Sequence, residues 1–375
     1  MSLITYLTTI EFGAGSLATL PQHLEALGIR RPLLVSDHGL AGTGLVNDVR
    51  ALCPDGATVF LDVPSNPTEE AVSAATALFR AEACDGVVAL GGGSPIDLSK
   101  GVALLGTHPG PLEPYASILG GLDRISEKVA PVIAIPTTAG TGAEVGRAAL
   151  LTLSDGRKLG FISPHLIPRR AICDPELTLG LPAGLTAATG LDAFSHCIET
   201  LFSPRYNPPA EAIALDGAGR IWRAIARAVA DGGDIEARTE MMMGSLQGGL
   251  TFQKGLGAVH SLSHALGGLK AVSLHHGTLN AILMPEVLEL NASAAPDKLE
   301  RLTRALDLPA DSDVPEHLRA LNRRLKMPPG LRTLGVTDDM LETVVAGALA
   351  DHSHPTNPRP MSAEDYMGIL KRTMV

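Results

Sequence analysis

Cysteine is scarce in this chain of 375 residues: Cys53, Cys84, Cys173 and Cys197 are the only four, and no two stand in a C-x-x-C spacing. That excludes a thiolate zinc knuckle and a disulfide framework, and leaves reduced, mostly buried thiols as the expectation. Long apolar runs are missing as well, since none approaches the roughly 20 residues needed to span a bilayer. Basic residues are outnumbered by acidic ones, 30 to 40, and the pI is about 5.6. No global positive field exists to condense the chain onto a phosphate polyanion, so neither nucleic acid nor a membrane is an expected partner. Low-complexity tracts and solenoid-period repeats are also absent, which excludes disordered, collagenous and repeat architectures. The first twelve residues, MSLITYLTTIEF, carry neither a basic n-region nor a small-residue cleavage site, and a cytoplasmic, soluble protein is expected.

What remains is an ordinary enzyme-sized composition with 45% hydrophobic residues. In the first half, short apolar runs alternate with helical windows. Candidate strands are Pro32 to Ser36, Ala57 to Val63, Gly86 to Leu90 and Pro131 to Ile135, with an amphipathic window over Thr68 to Ala83. Strands alternating with helices imply crossover connections and a mostly parallel sheet covered on both faces. From about Ala187 the texture turns helical, and the seam falls in DPELTLGLPAG, Asp174 to Gly184. The expected fold class is α/β plus all-α, with a Rossmann-like domain over 1–178 and a helical domain over 179–375.

Directly after the strand GVVAL comes GGGSPIDLSK, Gly91 to Lys100. Ser94 is expected to cap a helix, with Pro95 at its first position and Asp97 completing a capping pattern. Glycines before a helix start expose backbone N–H groups to a diphosphate, and the helix dipole favours its charge. The run is not G-x-G-x-x-G, because the third glycine would fall at Ile96. A second polar turn, PTTAGTG from Pro136 to Gly142, closes the strand PVIAI on the side where open α/β sheets place ligands. Asp37 closes PLLVS; there an acid can accept both hydroxyls of an adenosine ribose and disfavour a 2′-phosphate, or simply cap the next helix. The first role favours NAD over NADP.

Histidines cluster in the second half. Twelve in 375 residues predict about half of one per 17-residue window, yet His260, His264, His275 and His276 share one such window. Asp192-x-x-x-His196 and His260-x-x-x-His264 each place two ligand-type side chains one helical turn apart on the same face. A carboxylate with neutral imidazoles makes an N/O site suited to Fe(II) or Zn(II), of the open, catalytic kind. Spacing alone does not choose among Asp192, His196, His260, His264, His275 and His276. Cys197 points about 100° away from His196 and reads as packing.

The segments GGGSPIDLSK, PTTAGTGAE, GLDAFSHCIE, GLGAVHSLSHALGG and HHGTLNAILMP, in this order and followed by TNPR at Thr356 to Arg359, resemble the iron-containing (group III) alcohol dehydrogenases of the dehydroquinate synthase-like superfamily. The resemblance implies an N-terminal NAD(P)-binding domain, a C-terminal helical domain, and a metal in the cleft between them. It implies Asp192, His196, His260 and His276 as metal ligands. His276 is chosen because the last ligand directly precedes the glycine of the H-G motif, although His275 stands where the family commonly has a proline. His264 becomes a substrate-side proton relay and Phe252 a residue lining the substrate pocket. Asp37, Asn66, Gly92, Gly93 and Ser94 match contacts to the adenosine ribose and diphosphate, while Asp97, Thr137, Thr138, Thr141 and Lys158 match positions around the nicotinamide end. The implied reaction is metal-dependent hydride transfer between NAD(H) and a small alcohol or aldehyde, in a homo-oligomer, most simply a dimer. The alternatives are a reductase for a hydroxy-acid or maleylacetate-type carbonyl, a zinc polyol dehydrogenase and, from another class, a metal-dependent hydrolase.

Overall fold

A computed structural model describes residues 4, 6, 8–54 and 57–375. Residues 1–3, 5 and 7 of the N-terminal stretch read above lie outside that set. Close contacts divide the described residues into two compact units: one from 6 to 138 with Gly142–Thr178, and Leu179–Val375 together with Ala139–Thr141.

Among the described residues the first unit is built on eight strands: β1 (Thr9–Phe12), β2 (Pro32–Val35), β3 (Thr58–Phe60), β4 (Gly86–Gly91), β5 (Val132–Pro136), β6 (Ala148–Thr152), β7 (Lys158–Ile162) and β8 (Arg170–Cys173). Six form one parallel sheet in the order β1-β8-β5-β4-β2-β3, and β6 pairs with β7 as an antiparallel hairpin. Side-chain alternation splits the core by sheet face. Leu33, Val35, Val87, Ala89 and Ala134 enter one cluster, whereas Leu34, Val88, Leu90, Ile133 and Ile135 enter the other. Burial on both faces explains why these strands read as continuous apolar runs. Chain order reverses between β2 and β4, so the carboxyl ends of those two strands flank the switch point where a doubly wound sheet binds its ligand.

The sequence reading missed β1, the β6–β7 hairpin and β8, and it misplaced one cap. The helix after β4 spans Gly93–Thr107, its N-cap is Gly92, and no side chain caps it. Proline needs no amide partner in a first turn, so the helix can start before Pro95. Ser94 is therefore not the cap: its hydroxyl donates to the Ser65 carbonyl at 2.6 Å. Nor does Asp97 complete a capping pattern, since its carboxylate accepts from Lys100 Nζ at 3.3 Å and from the Leu150 amide at 3.0 Å, tying the helix to β6. The window Thr68 to Ala83 becomes the helix Glu69–Ala81, capped by Thr68, whose hydroxyl accepts from the Ala71 amide.

Lys100 is fully buried beside Asp97 and donates to the Ala148 carbonyl at 2.6 Å. Glu144 is buried in the same unit, and burial raises its carboxyl to about 7 although Lys100 opposes the shift. The folded chain therefore holds a proton on Glu144 that the unfolded chain releases near pH 4.5, so stability is present below that pH and falls as pH rises through about 7. Urea unfolding of Glu144→Gln should be flatter with pH than that of the parent, by about 3 kcal/mol between pH 4.5 and 8. Equal slopes would show that Glu144 is ionised in the fold.

The second unit is helical: among the described residues no strand follows Cys173. Its central helix, Ala183–Phe202, is buried from Thr186 to Phe202 and packs against the helices Pro208–Ala230, Ile235–Leu250 and His276–Ala292. Lys254 finishes it: the buried ammonium donates to the carbonyls of Thr200, Leu201 and Ser203 at 2.5–3.1 Å, where the helix dipole is negative. All four cysteines are free and buried. Cys197 packs with its Sγ 3.8 Å from the Gly244 carbonyl, and burial raises its thiol well above the usual range.

Candidate metal centre and nucleotide turn

Asp192 and His196 lie one turn apart on the buried helix Ala183–Phe202, and His260 and His264 lie one turn apart on the helix Ala258–Gly267. His276 opens the helix His276–Ala292. Gly277 allows that helix to come close: a Cβ there would stand 2.2 Å from the Ala188 carbonyl oxygen. The three elements bring one carboxylate oxygen to the centre of three imidazoles. Asp192 Oδ1 is 3.5 Å from His196 Nε2, 3.7 Å from His260 Nε2 and 3.5 Å from His276 Nε2. Donors held at about 2.0–2.1 Å around a tetrahedral cation are separated by roughly 3.3 Å, so this spacing fits one ion. His275, the other candidate, has its Nδ1 3.3 Å from the Thr278 hydroxyl.

The electrostatics fit a cation as well. Burial alone would raise the Asp192 carboxyl, but His196, His276 and His260 outweigh it and hold the group well below the ordinary carboxylate range. Burial pushes His196 down to about 4, leaving it neutral with a lone pair free. Burial also lowers His260, yet the Glu199 and Asp192 carboxylates outweigh it and lift it to about 9, so a cation at Nε2 would take the place of a proton there. In the structure the Asn280 amide nitrogen fills the focus of the donors, 2.7 Å from Asp192 Oδ1, 3.3 Å from His260 Nε2 and 3.1 Å from His276 Nε2. Its carbonyl oxygen is buried without a hydrogen-bond partner. A buried oxygen with no hydrogen-bond partner, beside a carboxylate and imidazole nitrogens that converge, is a donor set suited to a divalent ion.

Three further residues support the cluster, and sequence reasoning assigned none of them a role. Glu199 accepts from His260 Nδ1 at 2.5 Å and from the Val259 amide at 2.7 Å, which fixes the ring so that Nε2 faces Asp192. It lies seven residues beyond Asp192 on one helix, so the i, i+7 spacing was the available signal. Asn280 is the second. The third, Asp351, accepts from His264 Nδ1 at 3.0 Å. His264 stacks on His276 with ring centroids 5.4 Å apart, and Phe252 sets its ring edge-on to His196 at 4.8 Å.

The other sequence-derived residues lie just beyond the ends of β2, β4 and β5, in the loop after β3 and at the start of β7. Gly91 ends β4 at φ +146°, a conformation open to glycine, and Gly92 and Gly93 lead into the helix. A Cβ on Gly92 would meet the Thr138 hydroxyl at 3.3 Å, so the two turns adjoin. Thr137 is buried next to Thr138 at the end of β5, its amide bonded to the Gly91 carbonyl. Thr141 falls in the short segment that groups with the helical unit. Lys158 donates to Asn66 Oδ1 at 3.1 Å, and burial lowers its ammonium pKa. Asp37 caps the short helix His38–Ala41 by accepting from the Leu40 amide at 3.0 Å.

Residues 8–175 match the model of the iron-containing alcohol dehydrogenases, and residues 186–374 match the C-terminal model of the same family. The chain is 54% identical to a 4-hydroxybutyrate dehydrogenase of Cupriavidus necator over the whole of both chains. A 1,3-propanediol oxidoreductase crystal structure superposes with a TM-score of 0.93 at 33% identity, covering 99% of this chain and all of that one. A sulfoacetaldehyde reductase of Bifidobacterium kashiwanohense, solved with NAD+, gives 0.91 at 27% identity, covering 100% and 99%. The chain belongs to the iron-containing alcohol dehydrogenase family and is an oxidoreductase of alcohols and aldehydes. No helix among the described residues is long and apolar enough to cross a membrane.

Proposed function

We propose that this enzyme interconverts a short alcohol bearing a terminal carboxylate, of the 4-hydroxybutyrate type, with its aldehyde, using NAD(H) and one divalent cation, Fe(II) or Zn(II). The observation that carries the reading is the Asp192 oxygen ringed by three imidazole nitrogens at 3.5–3.7 Å, with the Asp351–His264 pair beside it. The substrate class follows the relative at 54% identity. Asp192, His196, His260 and His276 hold the cation, and Glu199 orients His260. When bound, the cation supplies Lewis acidity toward the substrate oxygen, while nicotinamide accepts or gives the hydride. A carboxylate only accepts, so Asp351 keeps the His264 proton on Nδ1 and leaves Nε2 to take the hydroxyl proton as the carbonyl forms. Gly92, Gly93 and Ser94 receive the diphosphate at the helix start. Asp37 takes the adenosine ribose and Asn66 adjoins it, whereas Asp97, Thr137, Thr138, Thr141 and Lys158 surround the nicotinamide end. Phe252 lines the substrate pocket. The same reading carries a homodimer located in the cytoplasm.

The test is reconstitution of metal-free protein, under anaerobic conditions, with one equivalent of Fe(II) or Zn(II), followed at 340 nm with NAD+ and 4-hydroxybutyrate, 1,3-propanediol or 1-butanol. We expect metal-dependent turnover, with kcat/KM for 4-hydroxybutyrate above that for 1-butanol by roughly tenfold or more, the worth of one hydrogen bond to a charged group. Equal values would sink the hydroxy-acid assignment. Turnover that ignores the metal would sink the mechanism.

A further inference from the structure

Beside the proposed metal centre stands a second set of donors. The Asp351 carboxylate is held in place by the Ser353 amide, which donates to Oδ1 at 2.8 Å. Its other oxygen, Oδ2, lies between two imidazoles, 3.0 Å from His264 Nδ1 and 3.6 Å from His352 Nδ1. The two rings are nearly parallel, 19° apart with centroids at 5.5 Å. One ligand atom from each of the three residues lies within 4.8 Å of the others. His264 and Asp351 are mostly buried, whereas the His352 side chain is 47% exposed, so an ion can reach the set from solvent. Two imidazole nitrogens and one carboxylate oxygen, with separations on either side of the roughly 3.3 Å tetrahedral edge, form a three-ligand site of the open zinc type.

We propose that His264, Asp351 and His352 form a second, inhibitory site for a divalent cation of the Zn(II) class, which the enzyme fills only after the first. The donor chemistry dictates the consequence. A cation on Nδ1 of His264 displaces the proton that Asp351 now accepts, which passes to solvent, and Nε2 takes up one proton from solvent so that the ring stays neutral. In that tautomer His264 has no lone pair for the substrate's hydroxyl proton, so filling the site stops proton removal without disturbing Asp192, His196, His260 or His276. The inhibition, though not the binding, rests on the proton-relay reading of His264.

Binding and inhibition are read separately. Protein carrying one equivalent of Zn(II) is dialysed against increasing Zn(II), and bound metal and NAD+-linked turnover are measured on the same samples, for the parent and for His352→Ala. We expect the parent to take up a second equivalent, to lose turnover at least tenfold as it does so, and to recover when a weak chelator removes that equivalent alone. His352→Ala should keep the parent's basal turnover, retain one equivalent and resist inhibition. Uptake of two equivalents by both proteins, or of only one by the parent, would overturn the site. A second equivalent that left turnover unchanged would overturn the inhibitory role. If the enzyme turned over none of the alcohols above, the stoichiometry would still decide whether the site exists.

Discussion

Asp192→Asn should abolish metal retention and lower turnover by about a thousandfold or more, the scale of several kcal/mol of Lewis-acid stabilisation. The substitution keeps the volume of a buried side chain while removing the carboxylate that the three imidazole Nε2 atoms face at 3.5–3.7 Å. Charge is the essential contribution, because His196, His276 and His260 already hold the Asp192 carboxyl ionised far below neutral pH, against the cost of burial. With an amide in its place, no anionic ligand atom would face the imidazole Nε2 atoms to attract a dication. Metal analysis of the purified variant should give less than a tenth of an equivalent, and NADH fluorescence titration should still show binding by the α/β unit. Retained NADH binding separates loss of the metal from loss of the fold. Parental turnover in Asp192→Asn would remove this cluster from the chemistry.

How much of this was legible in the sequence depends on whether the information was local. The i, i+4 pairs Asp192–His196 and His260–His264 were visible because helical periodicity places both members on one face before any tertiary contact forms. The phosphate turn was visible for the same reason, since β4 and the helix that follows are neighbours in the chain. Its cap was misread: Ser94 has the chemistry of an N-cap, but the Ser65 carbonyl takes its hydroxyl and the helix starts earlier, at Gly93. Strands β1 (TIEF) and β8 (RAIC) escaped because polar residues interrupt their apolar runs and they find their pairing across the chain, Thr9 opposite Arg170. Asn280 and Asp351 escaped likewise, since they meet Asp192 and His264 across 88 and 87 positions. Glu199 was the exception: its position on the ligand helix was readable, yet only the fold shows that the partner of its carboxylate is His260, 61 residues away.

Replacing His264 should separate proton transfer from metal binding. In His264→Ala the four residues of the Asp192 cluster are untouched, so metal content should stay at one equivalent and NADH binding should be unchanged. Turnover should fall about 10²–10⁴-fold, the usual contribution of a positioned acid–base group. Asp351→Asn should fall less, because the imidazole remains and only its tautomer and orientation are released. The ring is also held by stacking on His276 at 5.4 Å, so it stays near the substrate side in that variant. Added imidazole should restore part of the turnover of His264→Ala, since the deletion leaves space in which a free ring can take the proton, and should leave the Asp192→Asn enzyme inactive. Loss of metal from His264→Ala would instead make His264 a ligand of the first ion. Undiminished turnover at every pH would show that the hydroxyl proton leaves by another route, and His264 would then owe its place beside His276 to packing alone.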